Sequence, residues 1–576
     1  MGKETTITRK WYDEKGKAKF AEGQKTKEIS EGEGAVYLAN GAPDEINFLM
    51  GAYADPLLYC LKQRRYLSTA LPFIYKDDRR GWVLYLGTRL QETQWAPIEK
   101  GSTQYLAVAV EQKRMTGRQY KPMENPKAPA FTATKGFPAS IQIWAFDPDE
   151  ADRLDPKKEP RLELVLCTAW GAPKALRWCP IAPAETVTES TEGLTVHLGL
   201  LAGIWSDGKV RILEVSFQKS VAISKETKYI HYAKAAFEIS FHNSVATCLH
   251  WLSGTSLIVG TALGVVAFWS LTRPDAFPPP NHSPDEVYKP PPRFYKRVSD
   301  TFIISIASGF PSRPNYVSLS SADGLGWLFD LRSPTLDVVN NPRGRMYSVT
   351  QSWHEHTQSF VSPDESFLLR CNSIRRYYTN IYCMRTESQI LCCATSPVHP
   401  GTLLGTADGA VVAGNPIMRT LNYKEVPWQQ TWFRHDWRRP ASELPLPLWD
   451  PSQPPPAPPN EDSDEEDSIA GTPTRIPPSP PSRPSTPQPY TKTVPEEILA
   501  NSLTRITEGF KAKPVRLQYS KPGKKRKLPH QGGKYLTVYE EPSAITCVAW
   551  NPNVQWGTWA CAGMGDGLLR VEDIGV

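Results

Sequence analysis

The sequence predicts an all-β fold, a β-propeller built from seven four-stranded blades. Three observations point there. Proline is abundant, 54 of 576 residues, about twice the usual ~5%. It interrupts helices and cannot donate to a central strand, so long helices are disfavoured. A strand motif recurs in one register 299 residues apart, Thr247-Cys-Leu-His-Trp251 and Thr546-Cys-Val-Ala-Trp550. Ala175-Leu-Arg-Trp-Cys-Pro180 is a variant of it. Finally, an Asp-Gly pair recurs between two apolar runs at Asp207-Gly208, Asp323-Gly324, Asp408-Gly409 and Asp566-Gly567, with Leu263-Gly264 as a weaker fifth copy. Asp-Gly between strands is a strong hairpin signal, and a type I′ turn with φ > 0 at both central residues is expected.

In chain order, residues 1–34 hold eight Lys or Arg between Lys3 and Lys27 with few apolar residues, which predicts a disordered basic arm. Residues 35–68 carry two apolar runs, Ile46-Asn-Phe-Leu-Met50 and Leu57-Leu-Tyr-Cys-Leu61, and are expected to pack on the propeller. Blades one to six are assigned to 69–440. Five units carry the turn, and two lack it: one runs from Trp95 to Phe146, the other from Ser359 to Ile374. Strand, strand, tight turn, strand is the blade pattern of WD40 type. Its Trp-Asp ending is eroded to Phe268-Trp-Ser-Leu271, Phe329-Asp-Leu331 and Val571-Glu-Asp-Ile574, and its Gly-His dipeptide is absent. Residues 441–530 are expected to be a disordered insertion, since 440–489 alone contain seventeen prolines. That insertion is first acidic, Glu461–Asp467, then basic, Lys511–Lys527. Residues 531–576 form the last blade. Its third strand reaches the end of the sequence, so Trp82–Leu86 is expected to supply the outer strand and close it.

Lys524, Lys525, Arg526 and Lys527 form a contiguous basic run, suited to an import receptor or to phosphates. The competing reading is a solvated linker. Ser463 lies in the acidic run, and Thr472, Ser479 and Thr486 each precede proline, so all four are candidate phosphorylation sites. The four Asp-Gly pairs are read as structural blade turns. Cys392, Cys393 and His399, or His354 and His356, are the best metal clusters available, but they fall on strands or isolated loops, and no metal or other cofactor is expected. No nucleophile elbow, P-loop or metalloprotease helix occurs. The glycines of Gly563–Gly567 belong to a hairpin with no helix after it, so no enzyme and no small-molecule substrate are expected. None of the ten cysteines forms Cys-x-x-Cys, which suits free thiols in a reducing compartment. The uncharged window Ile239–Thr272 has an apolar part of about 15 residues, short of the ~20 of a membrane span, and no membrane partner is expected. A net charge of +6 is too small to coat nucleic acid with the whole molecule.

One resemblance narrows the function. Ile46-Asn-Phe-Leu-Met-Gly-Ala-Tyr53, the Trp-x-Pro strands at Trp95, Trp178 and Trp550, and the closing unit Ile545-Thr-Cys-Val-Ala-Trp-Asn-Pro-Asn553 resemble the WD40 subunit of TFIIIC, of fungal type. TFIIIC is the general transcription factor of RNA polymerase III. The resemblance implies a nuclear, non-enzymatic scaffold subunit. It would help assemble the module that binds the B-box promoter of tRNA genes, with a second propeller subunit and a large DNA-binding subunit as partners. DNA would be contacted weakly and without sequence preference through flexible lysines. Another nuclear WD40 adaptor, of a chromatin or RNA-processing complex, is the alternative.

Overall fold

The computed structural model describes residues 2–39, 43–52, 55–73, 79–112, 132–190, 193–219, 226–279, 288–422, 424–440, 502–515, 517 and 538–575. The chain divides into two compact units, Met1–Trp437 with Thr504–Val576, and Arg438–Leu503. Among the described residues, and apart from Arg438 and Leu503 at two strand ends, the strands all belong to the first.

That unit is all-β in its bulk. Among the described residues there are seven sheets, each with four antiparallel strands at its centre. Their first strands are Leu90–Trp95, Pro173–Trp178, Ala246–Ser253, Ile303–Gly309, Ser352–His354, Ile390–Thr395 and Ile545–Trp550. Each first strand lies against the first strand of the following sheet, and Ile545–Trp550 of sheet seven lies against Leu90–Trp95 of sheet one. Middle strands such as Gln104–Val110 and Ala139–Phe146 are buried along their whole length. This is why they read as continuous apolar runs rather than as alternations.

The recurring motif has a packing cause. Trp178 Nε1 donates to the Gln94 carbonyl of sheet one (3.1 Å), and Trp251 Nε1 to the Arg177 carbonyl of sheet two (2.9 Å). The tryptophan of one sheet is thus tied to the first strand of the sheet before it. The cysteine of the motif faces a glycine on the adjacent strand. A Cβ on Gly260 would lie 2.7 Å from Cys248 Sγ, and on Gly563 2.5 Å from Cys547 Sγ. The same glycines receive the next sheet's leading apolar residue, Ile303 on Gly260, Ile545 on Gly405 and Leu90 on Gly563. Any larger residue there would push the sheets apart.

Sheet seven is Ile545–Trp550, Trp559–Met564, Leu568–Asp573 and then Gly81–Tyr85, with Val571 opposite Trp82 and Leu569 opposite Leu84. Tyr66–Ser68 adds a fifth strand. Sheet six is extended outward from its fourth strand Trp428–Arg438 by Leu503–Thr507, Glu45–Gly51 and Pro56–Lys62. The two apolar runs of 35–68 are therefore strands in a sheet. Trp178 is buried as expected of a motif tryptophan, whereas Trp550 is only partly covered.

Two expectations of disorder are corrected. Residues 2–37 are not a disordered arm. Gly2–Trp11 and Lys17–Gly23 are α-helical, joined by a π-helical turn, and Lys25–Ile29 adds a strand to the edge of sheet one. The reason is amphipathicity. Thr8, Trp11, Tyr12 and Phe20 face sheets two and three, while Lys3, Lys10, Lys15 and Lys17 stay exposed. Phe20 is 1% exposed and meets Phe277 edge-on at 5.6 Å between ring centres. Nor is all of 441–530 without structure. Leu503–Thr507 runs parallel to the segment of Phe48, and Val515 and Leu517 are buried against Leu368. The proline-dense tract ends at 489, with Pro495 alone between it and Leu503, and Leu503 and Ile506 restore an apolar pattern that 440–489 lacks.

The segment after the insertion is held by a buried ionic cluster. Arg570, fully buried, donates to Glu508 (2.7 Å) and through Nε to Glu572 (3.0 Å). Arg79 pairs with the same Glu508. The Arg570 guanidinium also lies over the rings of Phe433 (4.8 Å) and Trp432 (5.3 Å). Four stretches distant in sequence meet at this point.

Candidate interaction surfaces

The four Asp-Gly pairs lie between the second and third strands of their sheets. They are not type I′ turns. Only the glycines have positive φ, +81° at Gly208, +83° at Gly324, +81° at Gly409 and +94° at Gly567. Each glycine N–H bonds three residues back, as Gly208 does to Trp205 (2.9 Å) and Gly409 to Thr406 (3.2 Å). This fits a type I turn followed by a left-handed glycine, which suits hairpins equally well. In three of the four the aspartate also accepts from the backbone N–H two residues on, as Asp207 does from Lys209 (3.1 Å) and Asp566 from Leu568 (3.2 Å), whereas at Asp408 that N–H, of Ala410, donates to Thr406 Oγ1. The glycine is needed for space as well as conformation. A Cβ on Gly409 would stand 1.8 Å from the His435 carbonyl oxygen.

The aspartates are also anchors. Asp207 pairs with Arg211, Asp323 accepts from Ser321, and Asp408 accepts from Ser388 and Thr406. Asp566 accepts from Thr504 (2.6 Å) and binds Nε2 of the fully buried His435 (2.9 Å). His435 Nδ1 meets the Ser543 carbonyl at 2.9 Å, so one imidazole ties the fourth strand of sheet six to sheet seven. Sequence reading missed it, because 131 residues separate His435 from Asp566. Burial opposes charge on this ring, but the Asp566 carboxylate and the two hydrogen bonds outweigh burial and raise its pKa. Such a group stabilises the fold below its unfolded value of ~6.5 and loses that contribution as pH rises through the folded value. His435→Gln should therefore cost most stability near pH ~6 and progressively less towards pH ~9. Urea titrations of both proteins across that range check this; a gap that widens with pH would contradict it.

The first strands surround a cavity of about 370 Å³. Its charged pair is Arg177 and Glu92, bonded to each other at 2.8 Å. His250 also lines it. Burial, with Arg177 nearby, pulls this ring down to about 4, against its contact with the Trp251 carbonyl. Burial pushes the Cys393 thiol up to about 11 and raises Cys392 as well. A neutral imidazole and protonated thiols make this a polar recess, with no activated nucleophile among the described residues. His354 and His399 are occupied by the Pro400 and Gly557 carbonyls, both at 3.0 Å. No group of three or more metal-ligating side chains occurs among the described residues. No helix among them is long and apolar enough to cross a membrane. Of the ten free cysteines, Cys60 departs from the buried pattern and is exposed. Lys524, Lys525, Arg526, Lys527, Ser463, Thr472, Ser479 and Thr486 lie outside the described residues.

No family model matches the chain. It is 27% identical over 511 residues to the transcription factor tau subunit sfc6 of Schizosaccharomyces pombe, covering 87% of this chain and 66% of that protein. It is 24% identical over 361 residues to the transcription factor tau 91 kDa subunit of Saccharomyces cerevisiae, covering 61% of this chain and 47% of that protein. The chain thus spans a little under two thirds of the first relative's length and about half of the second's. It is a relative of these fungal tau subunits, and its resemblance to a TFIIIC subunit of fungal type, carried in the sequence by Ile46–Tyr53 and Ile545–Asn553, is shown.

Proposed function

We propose that the seven sheets are the blades of one seven-bladed WD40-type β-propeller, and that the chain is a non-enzymatic scaffold subunit of TFIIIC. In this role it helps assemble the B-box-binding module on tRNA-type promoters for RNA polymerase III transcription, in the nucleus. The observation that carries this is the similarity to a fungal tau subunit along 87% of the chain. The succession of first-strand contacts, which returns from sheet seven to sheet one, supports the propeller. So does the fourth strand of sheet seven, supplied by Gly81–Tyr85. The partners are a second propeller subunit and a large DNA-binding subunit.

Proteins come first and DNA second. The exposed cations Lys3, Lys10, Lys15, Lys17, Lys25 and Lys27 sit on the folded arm, and Lys524–Lys527 extend the basic stretch. Contacts from such exposed lysines to phosphates carry no sequence information. The isolated chain should therefore bind duplex DNA weakly, with little preference for a tRNA-gene promoter. Its affinity should fall with salt at a log–log slope of roughly −0.9 per phosphate neutralised. Fluorescence anisotropy with promoter and shuffled duplexes measures both. Tight, salt-insensitive, promoter-specific binding by the chain alone would contradict the ordering.

A further inference from the structure

The connector between the third and fourth strands of sheet six has its polarity reversed. Its short helix Ile417–Leu421 buries the cation Arg419, 8% exposed, and presents Met418 and Leu421 to solvent, Leu421 at 79%. The reversal is fixed in place. Arg419 donates through Nε to the Tyr382 carbonyl and through Nη1 to the Glu425 carbonyl, both at 3.1 Å. The helix cannot turn its apolar side inward without leaving that guanidinium unpaired. Val426 and Trp428 follow, also exposed, Trp428 at 61%. Four large apolar side chains within eleven residues, held outward by a buried arginine, mark a contact surface rather than scattered exposure.

Trp428 stands beside a groove of about 420 Å³ between sheets six and seven, walled by His399, Ala413, Trp550 and Ile574. No Asp or Glu lines it among the described residues. Strand Lys513–Pro514 fixes its rim, with Pro514 opposite Trp428 and Lys513 opposite Gln429. The rim carries exposed Lys511 and Lys513, and the connector before Trp428 carries exposed Lys424 and Glu425. Apolar sockets inside a basic rim select an acidic chain with large apolar anchors. Nucleic acid fits less well. Stacking would use Trp428 and Trp550, but Met418, Leu421 and Val426 offer bases no planar face.

We propose that Ile417–Trp428 and this groove dock an acidic polypeptide segment of another protein. Its aromatic or aliphatic side chains enter against Trp428 and Trp550, and its carboxylates meet Lys511 and Lys513. The inference rests on the surface alone and does not require the TFIIIC reading.

The test uses the full chain. A random peptide phage library is panned on the wild type and counter-selected on the double variant L421E/W428A. Both positions are exposed, and an unchanged melting temperature verifies the variant's fold. The expected sequences are rich in Asp and Glu, with Trp, Phe or Leu anchors. The best peptide, made synthetically, should lose at least about tenfold in affinity to L421E/W428A, and several-fold to K511E/K513E, with a steep salt dependence. A single-stranded thymidine oligonucleotide should not displace it. Selected peptides that bind both proteins equally, or that carry no acidic bias, overturn the proposal. Displacement by the oligonucleotide would assign the surface to nucleic acid instead. Binding seen only after deletion of residues 441–500 would make the occupant part of this chain, and would equally overturn it.

Discussion

Replacing Arg570 with alanine should destabilise the protein by about 3–5 kcal/mol, the range for breaking a buried ion pair by removing one partner. The size follows from what is left behind. Glu508 and Glu572 are both buried, and without the guanidinium they confront each other with Arg79 as their remaining cation. Two rings, Trp432 and Phe433, also lose the cation lying over them. Burial alone would raise the Glu508 pKa, but Arg570 and Arg79 hold it below its ordinary value. Its contribution is therefore present above the unfolded carboxylate value of ~4.3, and lost as pH falls through the folded one. The R570A deficit should thus shrink in acid. A triple variant, R570M/E508Q/E572Q, should recover much of the loss, because removing the whole set of charges also removes the desolvation penalty. Chemical denaturation at neutral and acid pH measures both effects. A deficit under ~1 kcal/mol at neutral pH would mean that the post-insertion segment is not clamped here.

Phe20→Ala should cost up to about 3–5 kcal/mol, the usual range for emptying a buried phenylalanine site. The ring is enclosed by Phe277, Phe237 and the flanks of sheets two and three. The cost has a ceiling. The arm packs on the sheets from outside, so it can open locally once its anchor fails, and the loss then stops at the free energy holding the arm. Detachment would let the helices around Lys15, Lys17 and Lys19 unfold, so that their backbone can enter the cleft of trypsin. Limited proteolysis read beside the melting curve therefore separates the cases. Wild-type protein should resist cleavage there, and F20A should be cut within the arm before it unfolds globally. Equal, rapid cleavage of both proteins would show that the arm is not docked.

The seven sheets were legible because their signals are local. Each motif tryptophan, glycine and Asp-Gly turn lies within a dozen or so residues of the strands it organises, and period and punctuation reveal it. Even there the turn type was misjudged. Asp-Gly suits both a type I′ turn and a type I turn with a left-handed glycine, and the choice depends on the approach of strand ends such as His435 to Gly409. The arm was missed for a compositional reason. Its lysines occupy the outer side of a helix whose inner side needs only Trp11, Tyr12 and Phe20, so an average over 34 residues hides the pattern. What stayed wholly hidden is long-range. Nothing near Glu508 announces Arg570, and nothing near His435 announces Asp566. The reversed helix lay midway between these cases. Met418 and Leu421 are visible in the sequence, but that Arg419 turns inward depends on the Tyr382 and Glu425 carbonyls.

The claim that the chain works by assembling proteins on a promoter, rather than by reading DNA, is tested most directly by reconstitution. Affinity for a B-box-containing tRNA-gene duplex and for its scrambled counterpart would be measured for the large DNA-binding subunit and the second propeller subunit, with and without this chain. The account predicts a stable complex containing the chain and a gain in promoter affinity on adding it. The preference over scrambled duplex should come from the partners, and part of the gain should disappear when Lys524, Lys525, Arg526 and Lys527 become alanine. Failure of the chain to join those subunits, or promoter affinity identical with and without it, would contradict the account.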